Sequence, residues 1–231
     1  MKNKISVATT MMLALVLGIG HAQASLIGYN DKASFDAAIA GFSAAQTVNF
    51  DSVAAGTTYA SGTGTGGLTF TYSIAGPSTL QVSDSFGTTS GSNYLGLDNP
   101  DTAFYLGDSF TIEFNRTVHS IGLYLIAGRD AQAGDMQLSV AGGSVFNSAS
   151  PDMLVSDGQA FYLGLVESDI NLGFTSATVQ MTFTPNAFLA ITADDITSAV
   201  RGEVTTVPEP GTLGLMLAAI GMLALRRRRV R

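Results

Sequence analysis

Between residues 25 and 200 apolar and polar residues alternate in short runs. Val48 and Phe50 show the pattern first, then Leu68, Phe70 and Tyr72, and then Phe110, Ile112 and Phe114. Val179, Met181 and Phe183 repeat it late in the chain. A period of two turns successive side chains to opposite faces of a strand, so each run predicts a strand with one wet and one buried face. Denser apolar runs lie at Ile121 to Ala127, Met136 to Val140, Ala160 to Val166 and Phe188 to Ile191. Glycine, serine, asparagine and aspartate separate them, as turn residues separate strands. Only Phe35, Ala38, Ile39 and Phe42 follow helical spacing, with Asn30 or Asp31 placed to cap the first turn and Gly41 near the end. The pattern predicts a mainly β protein, an antiparallel β-sandwich over residues 25–200 with one short N-terminal helix. Gly56 to Gly67 and Ser83 to Ser92 read as long flexible loops.

The two ends break this pattern. Lys2 and Lys4 precede a largely apolar stretch from Ile5 to Ile19, and Ala22-Gln23-Ala24 follows. This is the grammar of a secretory signal over residues 1–24: small residues Ala22 and Ala24 suit signal peptidase, and Ser25 becomes the first mature residue. At the other end a linker over 201–206 leads into Val207-Pro208-Glu209-Pro210. Two prolines hold the Glu209 backbone extended, the form a processing enzyme grips. An apolar run of 13 residues, Leu213 to Leu225, comes next, and four consecutive arginines, Arg226, Arg227, Arg228 and Arg229, close it. As a helix the run measures about 20 Å. With its flanks and snorkelling arginines it predicts a transmembrane-type helix, arginines on the cytoplasmic side.

Charge divides along the same lines. Seven of the 11 Lys and Arg residues lie in the first four or last six positions. Residues 25–207 keep four basic residues against 17 acidic ones, a net charge of −13. A body that acidic does not hold nucleic acid by neutralising phosphates. Cysteine is absent, which excludes disulfides, thiolate metal sites and a thiol nucleophile.

Little in the body has the composition of a catalytic site, and no catalytic residue is assigned. His119 is the single histidine after the signal, and no Gly-x-Ser-x-Gly elbow exists. Glu113 sits between Ile112 and Phe114 on the opposite face, hence toward solvent. Oxygen-rich candidates for a structural calcium ion are Asp51, at the end of an early strand, and Asp194-Asp195, near the end of the chain's last strand. The two adjacent acids interrupt the alternation between Ile191 and Ile196, which predicts a bulge. Asp98-Asn99-Pro100-Asp101 is a second cluster, without EF-hand spacing. Tyr59 and Tyr94, in polar surroundings, are candidates to stack on a sugar, whereas Tyr124 and Tyr162 belong to the core.

The tail, by Pro208-Glu209-Pro210, Leu213 to Leu225 and Arg226-Arg227-Arg228-Arg229 in that order, resembles the PEP-CTERM sorting signal of Gram-negative bacteria, over residues 207–231. The resemblance implies that an exosortase, a membrane protease-transpeptidase, recognises and removes the tail while the chain is transiently in the inner membrane. It also implies export to the cell surface or extracellular matrix, often alongside exopolysaccharide. The body is similar to jelly-roll sandwiches common among such proteins, through Phe35-Asp36-Ala37-Ala38, Val48-Asn49-Phe50-Asp51, Gly67-Leu68-Thr69-Phe70, Asn93-Tyr94-Leu95, Ser109-Phe110-Thr111-Ile112 and Ala193-Asp194-Asp195-Ile196. Together these imply a non-enzymatic envelope or matrix protein with a structural or adhesive role near exopolysaccharide. The alternatives are a calcium-supported carbohydrate-binding module and a secreted glycan hydrolase.

Overall fold

The computed structural model describes residues 26–140, 145–182 and 190–202. Several expectations fall outside the described residues. They are the signal residues Ala22, Ala24 and Ser25, the sorting motif Val207, Pro208, Glu209 and Pro210, the apolar run after it, and the basic residues Arg226, Arg227, Arg228 and Arg229. Phe183 lies outside them too. Among the described residues no helix is long and apolar enough to cross a membrane.

One helix and fifteen strands make up the described body, which ends near Arg201. In chain order they are β1 (Leu26–Tyr29), α1 (Lys32–Ile39), β2 (Ser43–Val48), β3 (Thr58–Tyr59), β4 (Thr63–Thr65), β5 (Leu68–Ser73), β6 (Leu80–Ser83) and β7 (Tyr94–Leu97). There follow β8 (Ser109–Val118), β9 (Ser120–Ala127), β10 (Met136–Val140), β11 (Val145–Asn147), β12 (Met153–Val155), β13 (Gly158–Glu167), β14 (Phe174–Met181) and β15 (Ile191–Val200). A nine-stranded sheet runs β1-β13-β9-β15-β7-β6-β3, with β12 beside β13 and β2 beside β15. A six-stranded sheet runs β11-β10-β14-β8-β5-β4. The ladders are antiparallel, as in β8 on β14, where Thr178 faces Thr111 and Val179 faces Phe110.

The alternation in β8 is realised residue by residue. Phe110, Ile112 and Phe114 turn inward while Thr111 and Glu113 turn outward. They meet Leu123, Leu125, Phe161 and Leu163 from the larger sheet in a continuous core, where apolar side chains of this size contribute about 1.5–3 kcal/mol each.

β9 and β13 are buried on both faces, which is why their sequences run apolar without alternation. The second cover is α1. Asp31 caps it, its carboxylate accepting the Ser34 N–H at 2.7 Å. Phe35 and Ile39 then pack on Tyr124, Ile126, Ala160 and Tyr162. Phe35 lies 5.4 Å from Tyr162, centroid to centroid. Glycines on neighbouring strands make this approach feasible: a Cβ on Gly164 would stand 2.5 Å from Phe35 Cδ2, and one on Gly122 2.9 Å from Phe35 Cζ.

The segment Gly56 to Gly67 departs from expectation. It holds β3 and β4 rather than a flexible loop, because β3 pairs with β6 and β4 with β5. Backbone partners on other strands supply what the local Gly, Thr and Ser composition does not.

Candidate functional site

β15 is the strand around which the larger sheet divides. On one side it pairs with β9 along its length. On the other it meets β7 at Ala193 and β2 from Ile196 onward. Asp194 and Asp195 sit at the fork, where the register with β9 shifts. Asp195 has φ +49, the left-handed conformation that aspartate tolerates better than most residues. The predicted bulge is therefore present, and it aims two carboxylates into one gap.

The loop before β7 fills that gap. Asp194 Oδ2 accepts the Thr89 N–H at 3.0 Å, the Thr89 hydroxyl at 2.8 Å and the Ser90 N–H at 3.3 Å. Asp195 accepts the Ser90 hydroxyl at 2.7 Å and the Thr89 hydroxyl at 3.1 Å. Asp51, three residues beyond β2, takes the Ser92 and Asn93 N–H groups on Oδ1 at 2.7 and 3.1 Å. All three acids singled out from the sequence thus bind one loop, and Ser83 to Ser92 is a strap rather than a free excursion.

Electrostatically the fork is unusual. Asp194 is fully buried. Desolvation, and after it the neighbouring Asp195 charge, pushes the Asp194 carboxyl up to about 7 against the donors from Thr89. The side chains around the pair offer only oxygen, which suits a hard cation such as calcium. Among the described residues, however, no group of three or more His, Cys, Asp or Glu side chains stands close enough to hold a metal. Asp51 meets the far end of the strap, so a cation at the fork would rest on Asp194, Asp195 and the hydroxyls of Thr89 and Ser90.

The tyrosine assignment needs correction. Tyr94 is fully buried and Tyr59 is 6% exposed, so neither presents a face to a sugar. The strap folds back over Tyr94, whose hydroxyl is 2.7 Å from Thr102 Oγ1. Phe86 stacks on its ring. Among the described residues the exposed aromatic is Phe86 itself, at 42%. Its position between Ser85 and Gly87, within a turn-forming run, was the available signal. Tyr124 and Tyr162 are core residues as expected.

The remaining candidates serve the fold. His119 Nε2 donates to the Ile170 carbonyl at 2.8 Å, and Nδ1 accepts the Arg201 N–H at 3.3 Å. Asp98 accepts the N–H and hydroxyl of Thr79 at 2.6 and 2.9 Å, and Asn99 accepts the Ala103 N–H at 3.1 Å, which is turn chemistry.

The described body is thus a β-sandwich, and the family comparison concerns the tail. Residues 206–229 match the family described as PEP-CTERM protein-sorting motif. The match takes in Val207 to Pro210 and runs through Arg226, Arg227, Arg228 and Arg229. The chain therefore carries an exosortase sorting signal, the mark of a protein exported across the inner membrane to the bacterial cell surface. None of the curated proteins matches the chain. Among solved structures, the C-terminal family 22 carbohydrate binding module of Clostridium thermocellum Xyn10B is similar at 16% identity, over 71% of this chain and 96% of that one, with a TM-score of 0.35.

Proposed function

We propose that this protein is a non-catalytic component of the bacterial surface or extracellular matrix, with a structural or adhesive role in contact with exopolysaccharide. The observation that carries the reading is the sorting motif at 206–229. Its apolar run and the block from Arg226 to Arg229 hold the chain at the inner membrane until an exosortase acts near Pro208-Glu209-Pro210, and signal peptidase acts after Ala24. The body supports a binding role over a catalytic one. Both nitrogens of His119, the single histidine after the signal, are engaged by backbone, so this imidazole is not free to activate a nucleophile.

The test uses the full chain in its host. Wild type and Glu209→Ala are followed by fractionation, and the released protein is co-sedimented with the host's exopolysaccharide. The expected result is surface or matrix recovery of the wild type, retention of Glu209→Ala in the inner membrane, and saturable co-sedimentation. Equal localisation of the two forms would overturn the sorting step. Absence of co-sedimentation by a folded protein would overturn the exopolysaccharide contact.

A second reading adds a structural calcium ion, favoured by the convergence of Asp194, Asp195, Thr89 and Ser90 at the fork. The ion would be held by their oxygens and would tie the strap to β15.

A further inference from the structure

A cleft of about 140 Å3 opens on the outer side of the larger sheet, between the strap and the β12–β13 turn. Ile126 and Thr192 are neighbours across β9 and β15 and line it, with Phe86, Gly87, Val155 and Asp157 among its other walls. Three features of this cleft are independent of the acid fork.

Thr192 is 4% exposed, and its Oγ1 has no hydrogen-bond partner among the described residues. A buried hydroxyl without a partner costs about 1–3 kcal/mol, so its place in a cavity wall points to a ligand that completes it. Asp157 is exposed. It accepts the Gly87 N–H at 3.1 Å and the Ser156 hydroxyl at 3.0 Å, both on Oδ2. Oδ1 is left to take a donor from outside. Phe86 offers an exposed ring held in place by its offset stack on Tyr94, at 6.4 Å and 29°.

We propose that this cleft binds one pyranose ring of a neutral glycan. The inference rests on the exopolysaccharide reading above and gives it an address. A pyranose has an apolar C–H face to lie on Phe86 and Ile126, and hydroxyls around its edge. One hydroxyl donates to Asp157, and another meets Thr192. An ammonium ligand would satisfy Asp157 and leave Thr192 bare. The volume is below that of drug-sized pockets, which run to about 300 Å3 and more. It suits a single ring of a polymer whose remainder stays in solvent.

The experiment titrates the full-length chain in detergent with methyl β-D-glucopyranoside, methyl β-D-galactopyranoside and methyl α-D-mannopyranoside. Ethylammonium is the competing cation, and saturation-transfer NMR is the readout. At least one pyranoside saturates the wild type. Thr192→Val weakens that binding about fivefold while the melting temperature holds or rises, because the variant removes an unpartnered hydroxyl without changing shape. Phe86→Ala abolishes the transfer. Three results would each overturn the proposal: no pyranoside saturates the wild type, both variants bind as wild type does, or ethylammonium alone binds. Co-sedimentation of the same proteins with exopolysaccharide separates the two ideas. If it persists undiminished in Phe86→Ala and Thr192→Val, this cleft is wrong and the matrix role stands. If wild type also fails to sediment, the matrix contact falls with it.

Discussion

Asp194 receives both the backbone N–H and the hydroxyl of Thr89 on a single carboxylate oxygen, at 3.0 and 2.8 Å. The two residues are 105 positions apart, so these bonds fasten the strap to the centre of the larger sheet. Burial lifts the Asp194 carboxyl from 3.8 to about 7. A raised carboxyl binds its proton more tightly in the folded state, so protonation favours folding. In the presence of a chelator this contribution is complete below pH about 4 and is lost as pH rises through about 7. Calorimetry should give a lower melting temperature at pH 8 than at pH 5, and Asp194→Asn should flatten the difference. An unchanged slope in that variant would assign the pH dependence to other groups.

Calcium should act in the opposite direction at the high end of that range. At pH 8 Asp194 is ionised, and an ion on Asp194 and Asp195 would neutralise two carboxylates that repel each other. Addition of calcium at 100 times its dissociation constant should stabilise the fold by about 2.7 kcal/mol. The gain should vanish in Asp195→Asn and persist in Asp51→Asn, because Asp51 holds the other end of the strap. No calcium-dependent shift in melting temperature would remove the second reading.

Close packing under α1 gives a stability prediction. Gly164→Ala would place a methyl 2.5 Å from Phe35 Cδ2, and the ring would have to move off the sheet. Overpacking of this kind costs about 1–3 kcal/mol. Urea unfolding should show a lower midpoint with unchanged slope. A midpoint equal to wild type would mean that α1 shifts freely.

Tyr124 donates to Asp152 Oδ2 at 2.6 Å, and Asp152 also accepts the Lys32 N–H at 3.2 Å. This one carboxylate joins β9, the start of α1 and the approach to β12. Burial and the Asp152 carboxylate both raise the Tyr124 hydroxyl above the usual tyrosine range. Tyr124→Phe should cost about 1.5–3 kcal/mol, as for a bond to a charged acceptor. In the wild type the absorbance of this tyrosine should not titrate before the protein unfolds in alkali.

Where the signal was local, the sequence was readable. The cap at Asn30 or Asp31, which Asp31 takes, the extent of Met136 to Val140 and the bulge at Asp194-Asp195 each follow from residues within a few positions of one another. Tyr94 and Tyr59 were not readable in this way. Polar residues precede Tyr94 and flank Tyr59, but Tyr94 is buried by a strap that folds over it, at the head of the apolar run to Leu97, and Tyr59 by Phe70, whose ring lies 5.8 Å away. Asp51 and the Asp194-Asp195 pair do meet one strap, beside the Val48–Ile196 pairing of β2 on β15, but they hold its opposite ends, which the sequence does not show. The role of residues 89–93 in joining them was not legible either, because serine and threonine hydroxyls carry no periodicity. Thr192 carries no sequence signal for the same reason.

The position of β15 has a consequence for transit. It is the final described strand in the chain, yet it lies inside the larger sheet, with β9 on one side and β7 and β2 on the other. Until residues 191–200 emerge from the export channel, those earlier strands lack their common partner, and the sheet cannot close. Pairings this distant in sequence form slowly. In a passage that starts from the N-terminus the larger sheet therefore closes only when the end of the body arrives, as an arch stands only once its keystone is set.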